Sequence, residues 1–465
     1  MDHAQRMQKL SAQRDGLLIG DEAAVAAHRA AGKLTARDRV SQLLDAGTFV
    51  EMEAYATQGH VVTGYGLINS RPAYVIAQDV TQQGGAISLA QARKISKTLT
   101  LAQTSGAPVI LMPESKGMLV QEGAELLAAY AQVLGELAGL RGTCPVITLL
   151  AGEAVGIAAH FVQVADIAIA VDGGSLAAPF APSVMRAVHG EKLTDSKLGG
   201  AEALATKGVV ALRADSEAQG LALVRALVDL LPTTMGERVP LLAGDDLNRL
   251  ISADSGELAR DIADAGTSVE LYASWGNTCR TYLARVGGYA CGIVSCAGAD
   301  GGRLDAFSCD KVAKLVQLCS DYNLPVITLV DSEGLALPGP EGQAWLMTAS
   351  TRMLMTYART LSPKVAVMTG NAVGPAYVAF AGKGMADISF AWPGAYIAPL
   401  TAEATVQTLE AERLQQQDRA TLVQEAAEAA DAFAAAKAGL VDNVIDPAET
   451  RKHIISALEL LWAKG

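Results

Sequence analysis

The chain has few aromatic residues, no long uncharged apolar run and no excess of positive charge. Aromatic side chains make up 5% of its 465 residues although half are apolar, so aliphatic side chains must fill its cores. Lysine and arginine total 37 against 49 aspartates and glutamates. The formal charge of −12 argues against a nucleic-acid partner, because an acidic chain repels polyanions. Without an uncharged apolar stretch of about 18 residues, direct membrane insertion is not expected.

Several short motifs are also missing. The six cysteines form no CxxC pair and no His/Cys cluster has metal-ligand spacing, so no metal site is expected. The chain has no GxxxxGK[ST], no strand-anchored GxGxxG and no GxSxG, which leaves nucleotide hydrolysis, dinucleotide binding and serine hydrolysis without support. The first residues lack the apolar core of a secretory signal, so we expect a cytoplasmic chain with reduced thiols.

An internal duplication is the most informative feature that is present. DAGTFVEM at Asp45 recurs as DAGTSVEL at Asp264, and APVILMPESKG at Ala107 recurs as LPVITLVDSEG at Leu324. LAGEAVG (150–156) recurs as MTGNAVG (368–374), and Gly84-Gly85 recurs as Gly301-Gly302. The offsets stay between 217 and 219, so the sequence predicts two copies of one fold.

Each copy has the alternation of an α/β fold. Short β-branched runs predict buried parallel strands, and the stretches between them predict helices. The interval Leu231–Asp246 holds two prolines and two glycines and predicts the boundary. The expected domains are residues 1–235 and 244–465. The predicted strands are 108–112, 146–150, 167–171, 326–330 and 365–368, and the predicted helices include 121–140, 310–322, much of 402–438 and a last one after Asp446-Pro447.

The two GEAVG and GNAVG segments are the strongest candidates for chemistry. Each follows a predicted buried strand and precedes a predicted helix, where backbone N–H groups can form an oxyanion hole. A tight turn is the alternative for either glycine alone, but the recurrence favours a site. His160 is interpreted as a packed histidine rather than a pocket residue. Arg186, Lys192 and Lys197 could meet a nucleotide phosphate or be surface charges.

Longer segments carry a family resemblance that covers almost the whole chain. The sequence resembles the carboxyltransferase subunits of biotin-dependent acyl-CoA carboxylases and the α subunits of sodium-pumping acyl-CoA decarboxylases. The resemblance rests on GKLTARDRVSQLLDAGTFVEM (32–52), VVTGYGLINSRPAYVIAQDVTQQGG (61–85), KLGGAEALATKGVV (197–210) and ADISFAWPGAYIAP (386–399).

The resemblance implies two tandem ClpP/crotonase-like domains, with an acyl-CoA site on the first and a biotin site on the second. It also implies a homo-hexamer built from dimers. Biotin would be carried on a separate protein or domain, and the further partners would be a biotin carboxylase or a membrane decarboxylase subunit. The expected activity is transfer of a carboxyl group between biotin and an acyl-CoA of the malonyl-, methylmalonyl- or glutaconyl-CoA class, in either direction.

Matching the family motifs residue by residue gives the expected site. Gly156 and Ile157 would hold the thioester oxygen, and Gly374 and Ala376 the biotin oxygen. Ile157 and Pro375 each replace a family glycine, and Pro375 has no N–H. Lys116 replaces another glycine and Leu119 an arginine. The expected substrate-binding residues are Gly84, Gly85, Gly152, Gly199, Gly200, Lys116 and Tyr377.

These departures keep two other hypotheses open. A crotonase-type decarboxylase or hydratase that works without biotin is motivated by Pro375. A non-catalytic scaffold that pairs with an active paralogue is motivated by Lys116, Leu119 and Pro375 together. Biotin-dependent turnover, biotin-independent turnover and obligate hetero-oligomers are the observations that distinguish the three.

Overall fold

The computed structural model describes residues 2–19, 21–56, 60–190, 194–242, 244–296 and 300–462. The chain divides into two compact units, Met1–Glu237 and Arg238–Gly465.

The first unit is built on a seven-stranded sheet in the order β1-β2-β3-β4-β5-β7-β9, and β6 pairs with β8 beside it. The first three strands are antiparallel and the rest are parallel. β5 and β7 are buried along their whole length, which explains their unbroken aliphatic sequences. The strands are β1 Val50–Met52, β2 Val61–Ile68, β3 Arg71–Gln78, β4 Val109–Met112, β5 Val146–Leu150, β6 Glu153–Val155, β7 Ile167–Val171, β8 Leu176–Ala178 and β9 Leu212–Ala214.

The helices of the first unit bear recognisable start and stop signals. The Thr35 hydroxyl oxygen accepts a hydrogen bond from the Asp38 N–H, and the Asp38 carboxylate accepts one from the Thr35 N–H. These two bonds form a capping box that starts α3. Gly106, in the left-handed region, ends α4. The helices are α1 His3–Ile19, α2 Glu22–Ala30, α3 Ala36–Leu43, α4 Leu89–Ser105, α5 Glu125–Leu140, α6 Ile157–Val164, α7 Pro182–His189, α8 Asp195–Gly199, α9 Ala201–Ala205 and α10 Glu217–Leu230.

The second unit repeats this topology. Its sheet runs β10-β11-β12-β13-β14-β15-β17, and β16 pairs with the end of β14. The β10-β11-β12 ladder is antiparallel and the remaining pairs are parallel, as in the first unit. The strands are β10 Val269–Leu271, β11 Arg280–Val286, β12 Tyr289–Cys296, β13 Val326–Ser332, β14 Lys364–Val373, β15 Ile388–Ala391, β16 Tyr396–Ala398 and β17 Asn443–Val444.

The helices of the second unit include those of the helix-rich stretch predicted near the end of the chain. The stretch 402–438 is three helices separated by short breaks, because Asp418 and Asp431 each cap the start of a new helix. The helices are α11 Leu258–Ile262, α12 Ala306–Asp321, α13 Pro340–Arg359, α14 Pro375–Phe380, α15 Ala402–Leu409, α16 Arg419–Ala429, α17 Ala432–Lys437 and α18 Thr450–Leu461.

Each unit has its own aliphatic core against its sheet. In the first unit, α4 and α5 cover one face, and Ile95, Tyr130 and Leu137 are fully buried there. In the second, Ile293, Val367 and Leu458 lie in a core between the sheet and α18. These cores position the carboxyl ends of the parallel strands, where ligand sites of such sheets are found.

Candidate functional site

The GEAVG segment forms a sharp turn from strand to helix in the first unit. Gly156 lies between β6 and α6 with φ of +68°, a conformation that favours glycine. Its N–H donates to the carbonyl oxygen of Ala178 in β8 at 3.0 Å. Ile157 and Ala158 follow as the first two residues of α6. We call residues 156–158 the first elbow.

The hydrogen bond of Gly156 bears on the expected donor pair at the first elbow. The sequence interpretation assigned the thioester oxygen to Gly156 and Ile157, but the Gly156 N–H is already used by the Ala178 carbonyl. The N–H groups at the start of a helix have no intrahelical acceptor, so those of Ile157 and Ala158 are the ones the helix leaves available. The role of Gly156 is therefore to shape the turn.

The expected pocket glycines Gly84 and Gly85 lie in the short turn 83–85 that precedes α4. A Cβ on Gly85 would overlap the carbonyl oxygen of Glu114, so only glycine lets these two loops meet. The aliphatic part of Lys116 packs over Gly84, with its Cδ 3.5 Å from where a Cβ would stand. Lys116 itself is exposed. The structure thus brings Gly84, Gly85 and Lys116 together.

Gly152 serves a buried ion pair rather than an open pocket. A Cβ on Gly152 would overlap the carboxylate of Glu114. That carboxylate pairs with the Arg39 guanidinium, whose Nε also bonds Glu217 at 2.6 Å. Arg39 is 1% exposed, so this cluster anchors α3 and α10 to the end of β4. Sequence reasoning did not identify Arg39 or Glu217, because nothing in their local pattern marks them as partners of Glu114.

Gly199 and Gly200 pack the short helix α8 against β8. A Cβ on Gly199 would overlap the Ala177 carbonyl oxygen. Gly200 pairs with Leu176 in an isolated antiparallel β-bridge. Beside them lies a cleft of about 870 Å³ that includes Lys33 and Lys197 in its wall. Arg186 is paired with Asp195 at 2.5 Å. Lys192 lies outside the described residues.

The second unit repeats the elbow with one change. Gly374 lies between β14 and α14 with φ of +50°, and its N–H donates to the Ala398 carbonyl oxygen of β16 at 2.9 Å. Pro375 opens α14 and has no N–H. Ala376, fully buried, is the second residue of the helix. We call residues 374–376 the second elbow.

The hydrogen bond of Gly374 bears on the expected donor pair Gly374 and Ala376 in the same way. The Gly374 N–H is used by Ala398, so Ala376 holds the one N–H that the second elbow can turn to a ligand. The first elbow has two such groups. Residues 374–376 therefore offer one N–H to a ligand, and residues 156–158 offer two.

Near the second elbow, Arg303 and Glu333 form an ion pair at positions where the first unit has Ala86 and Lys116. Arg303 Nη2 lies 2.6 Å from Glu333 Oε2. Glu333 stands in the position of Lys116 in the repeat, and it packs on Gly301 as Lys116 packs on Gly84. A Cβ on Gly302 would overlap the Asp331 carbonyl oxygen, and a Cβ on Gly370 would overlap the Asp331 carboxylate. Arg303 was not singled out from the sequence; comparing it with Ala86, its counterpart in the repeat, could have found it.

Tyr377 in α14 and His160 in α6 are the remaining residues singled out from the sequence. Tyr377 donates its hydroxyl hydrogen to the Leu440 carbonyl oxygen at 2.9 Å, and burial raises its pKa. Of the Tyr377 side chain, only the ring and the lone pairs of the hydroxyl oxygen therefore remain for a ligand. The interpretation of His160 as a packed histidine is wrong: α6 buries Ala158, Phe161 and Val162, so His160 lies on the exposed face.

Among the described residues, no group of three or more His, Cys, Asp or Glu side chains is placed to hold a metal ion. None of the helices within the described ranges is long and apolar enough to cross a bilayer.

Comparison with known proteins relates this geometry to a family. A model of the carboxyl transferase domain matches residues 27–465. The propionyl-CoA carboxylase beta chain of Roseobacter denitrificans is 32% identical, over 96% of this chain and 94% of that protein. The methylmalonyl-CoA decarboxylase subunit alpha of Propionigenium modestum is 30% identical, over 99% and 96%. The transcarboxylase 12S structure with methylmalonyl-CoA and methylmalonic acid bound superposes with a TM-score of 0.94 at 30% identity, covering 100% of this chain and 97% of that one.

The chain belongs to the carboxyl transferase family. Its fold is the two-domain, crotonase-like carboxyltransferase fold, as the sequence resemblance implied. The predicted activity class, a carboxyltransferase, is confirmed at this level.

Proposed function

We propose that this chain transfers a carboxyl group between an acyl-CoA thioester and biotin carried by a separate protein. One observation carries the proposal: the turn from strand through glycine to helix recurs at the same place in both units of a carboxyl transferase chain. Transfer in either direction places negative charge on a thioester oxygen and on a ureido oxygen. Backbone N–H groups at two helix starts match those two oxygens without any acid or base.

The first elbow is the acyl-CoA site in this proposal. Loss of a carboxyl group from the α-carbon leaves the electron pair of the broken C–C bond on the thioester as an enolate. The Ile157 and Ala158 N–H groups would hold the enolate oxygen. Gly84, Gly85 and Lys116 would border the acyl group, and Gly199 and Gly200 the cleft beside β8. Lys33 and Lys197, which share that cleft with the carboxylates of Glu153 and Glu202, would contact the phosphates of coenzyme A.

The second elbow is the biotin site in this proposal, and the fit is incomplete. Ala376 can donate one N–H to the ureido oxygen, whereas Gly374 and Pro375 can donate none. The face of Tyr377 would line the approach. A single backbone donor is a weaker oxyanion site than a pair, since losing one such donor costs about 100-fold or more in rate.

The relatives narrow the proposed substrate and partners. Their names refer to propionyl-CoA and methylmalonyl-CoA, so a short-chain acyl-CoA of the malonyl or methylmalonyl type is the proposed substrate. The transcarboxylase 12S structure is described as a hexamer assembly, and we propose a homo-hexamer here. The proposed partners are a biotin carrier with either a biotin carboxylase or a membrane decarboxylase subunit, in the cytoplasm.

The first experiment is carbon dioxide release by the purified chain from malonyl-CoA, methylmalonyl-CoA and glutaconyl-CoA, with and without high free biotin. Release that depends on biotin is expected, and the fastest substrate identifies the acyl group. No release from any of the three, together with a co-purifying paralogue, would contradict the proposal and support the scaffold hypothesis.

A decarboxylase that works without biotin is the second candidate, and Pro375 is the observation that favours it. The first elbow alone has both donors that enolate formation requires. This candidate predicts equal carbon dioxide release with and without free biotin, and no effect of altering Ala376. The same assay therefore distinguishes it from the leading proposal.

A further inference from the structure

We infer that Arg303, held in place by Glu333, donates a hydrogen bond to the ureido oxygen at the second elbow and replaces the N–H that Pro375 lacks. The inference rests on the proposed function, because it takes biotin as the ligand of this elbow. It adds a catalytic side chain to a site that otherwise has backbone donors alone.

The Arg303–Glu333 pair is fixed by its surroundings. Glu333 Oε2 lies 2.6 Å from Arg303 Nη2, and the two side chains are 27% and 38% exposed. The Glu333 carboxylate occupies space that only a glycine at 301 leaves free, since a Cβ there would be 2.5 Å from Glu333 Cδ. The Glu333 N–H also donates to the Gly301 carbonyl oxygen at 2.8 Å. The pair is therefore held partly buried, with an edge open to solvent.

The loop that holds this pair lies against the second elbow. Gly334, next to Glu333, faces Pro375: a Cβ on Gly334 would be 3.4 Å from Pro375 Cδ and 3.2 Å from the Val373 carbonyl oxygen. The Leu304 N–H, next to Arg303, donates to the Gly334 carbonyl oxygen at 2.9 Å. Arg303 and Glu333 are therefore the chain neighbours of Leu304 and Gly334, which are hydrogen-bonded to each other beside Pro375.

The duplication supplies an internal comparison. At the positions equivalent to Arg303 and Glu333, the first unit has Ala86 and Lys116, and Lys116 has no ion pair within the described part of the chain. At the position equivalent to Pro375 the first unit has Ile157, which keeps its N–H. The second unit, in which Pro375 lacks an N–H, thus has the Arg303 guanidinium in the loop next to its elbow.

The chemistry of arginine suits this substitution. A guanidinium carries five N–H donors and stays protonated, so its contact with Glu333 through Nη2 leaves donors for a ligand. When a carboxyl group leaves the ureido nitrogen, the electron pair of the N–C bond delocalises onto the ureido oxygen. A charged donor at that oxygen is stronger than a neutral amide. Glu333 limits the motion of the arginine and so reduces the cost of ordering it.

The test is a pair of substitutions in the full chain, R303A and the double variant R303A/P375A. R303A is expected to slow biotin-dependent carboxyl transfer about 100-fold and to weaken free-biotin binding by about three- to tenfold. Binding is measured by ligand-observed NMR without acyl-CoA. P375A restores a backbone N–H, so the double variant should regain at least tenfold of the lost rate and part of the affinity.

The control is R352A, which breaks the surface pair of Arg352 with Asp310 and should change neither rate nor biotin affinity. R303M, which keeps the volume of the stem, is used with the same expectations if R303A does not fold. Wild-type rates in R303A or R303M, or a double variant no faster than R303A, would overturn the inference. A wild-type chain without biotin-dependent transfer would instead refute the proposed function, so the two failures are distinguishable.

Discussion

The Gly156 N–H donates a hydrogen bond to the Ala178 carbonyl oxygen, and its counterpart Gly374 does the same to Ala398. Both bonds attach an elbow to the short strand beside it. The glycines therefore build the turn, and the residues after them present the N–H groups. In the proposed site these are Ile157 and Ala158 of the first elbow and Ala376 of the second.

The first prediction concerns Ile157. Replacing it with proline removes one donor, and the fold should tolerate the change because the second unit has proline at the equivalent position after a glycine of similar backbone conformation. We expect carboxyl transfer to slow about 100-fold or more, measured as carbon dioxide release. The matched control is Ile157→Val, which keeps the N–H and should retain most of the activity. Equal rates in the two variants would exclude a donor role for Ile157.

The second prediction concerns Ala376. Ala376→Pro removes the remaining N–H of the second elbow and should abolish transfer to biotin while leaving acyl-CoA binding unchanged. Acyl-CoA affinity by calorimetry and transfer to free biotin are the two measurements. Ala376→Gly keeps the N–H and serves as the control. Unchanged transfer in the proline variant would refute the biotin assignment.

The third prediction concerns stability at Gly152. An alanine methyl group there would overlap the Glu114 carboxylate and displace it from Arg39. Disturbing a buried pair can cost about 3–5 kcal/mol, so Gly152→Ala should strongly lower the midpoint of thermal unfolding. Gly135→Ala is the control: Gly135 is exposed within α5, nothing lies within 4 Å of a Cβ there, and alanine should be neutral or stabilise by about 0.5–1 kcal/mol. Equal shifts in the two variants would contradict this interpretation.

The fourth prediction concerns alkaline pH. Burial raises the pKa of Cys309 and of Cys319 to about 12. Below the unfolded-state pKa of about 8.5 both states keep the thiol proton, so these thiols have no effect on stability. Above it the unfolded chain ionises while the folded chain does not, and each thiol lowers the free energy of unfolding by about 1.4 kcal/mol per pH unit.

Thermal unfolding between pH 8 and pH 10.5 tests this. The double variant Cys309→Ala/Cys319→Ala should lose stability less steeply over that range than the wild type. The two thiols should also react with a thiol reagent only after unfolding, because they are buried. Rapid labelling of the native chain at pH 9 would argue against the shifted pKa values.

Much of the fold follows from local pattern. The strands 146–150 and 167–171 have the predicted bounds, because a strand buried on both faces must be an unbroken aliphatic run. The helix predicted over 121–140 begins at Glu125 instead, and the last helix, predicted to start at Asp446-Pro447, begins at Thr450 after a 3₁₀ turn over Pro447–Glu449. The helix bounds within 402–438 were harder to predict, because alanine-rich composition favours helix throughout this stretch. Only the capping residues Asp418 and Asp431 mark where new helices begin.

The candidate site was likewise only partly predictable from local sequence. The repeated glycine segments and the family motifs are local, so the sequence alone located both elbows and showed that Pro375 lacks a donor. Which N–H faces a ligand depends on what the other N–H groups bond, and the acceptors Ala178 and Ala398 are 22 and 24 residues farther along the chain.

The sequence by itself determined the duplication, the α/β class and the family, because each is written in runs of adjacent residues. Only the tertiary structure decided that Gly156 and Gly374 are turn formers, that Gly152 makes room for the Arg39–Glu114 pair, and that Arg303 pairs with Glu333 next to Pro375. These are contacts between segments far apart in the chain, and their geometry exists only once the sheets have brought the carboxyl ends of their strands together.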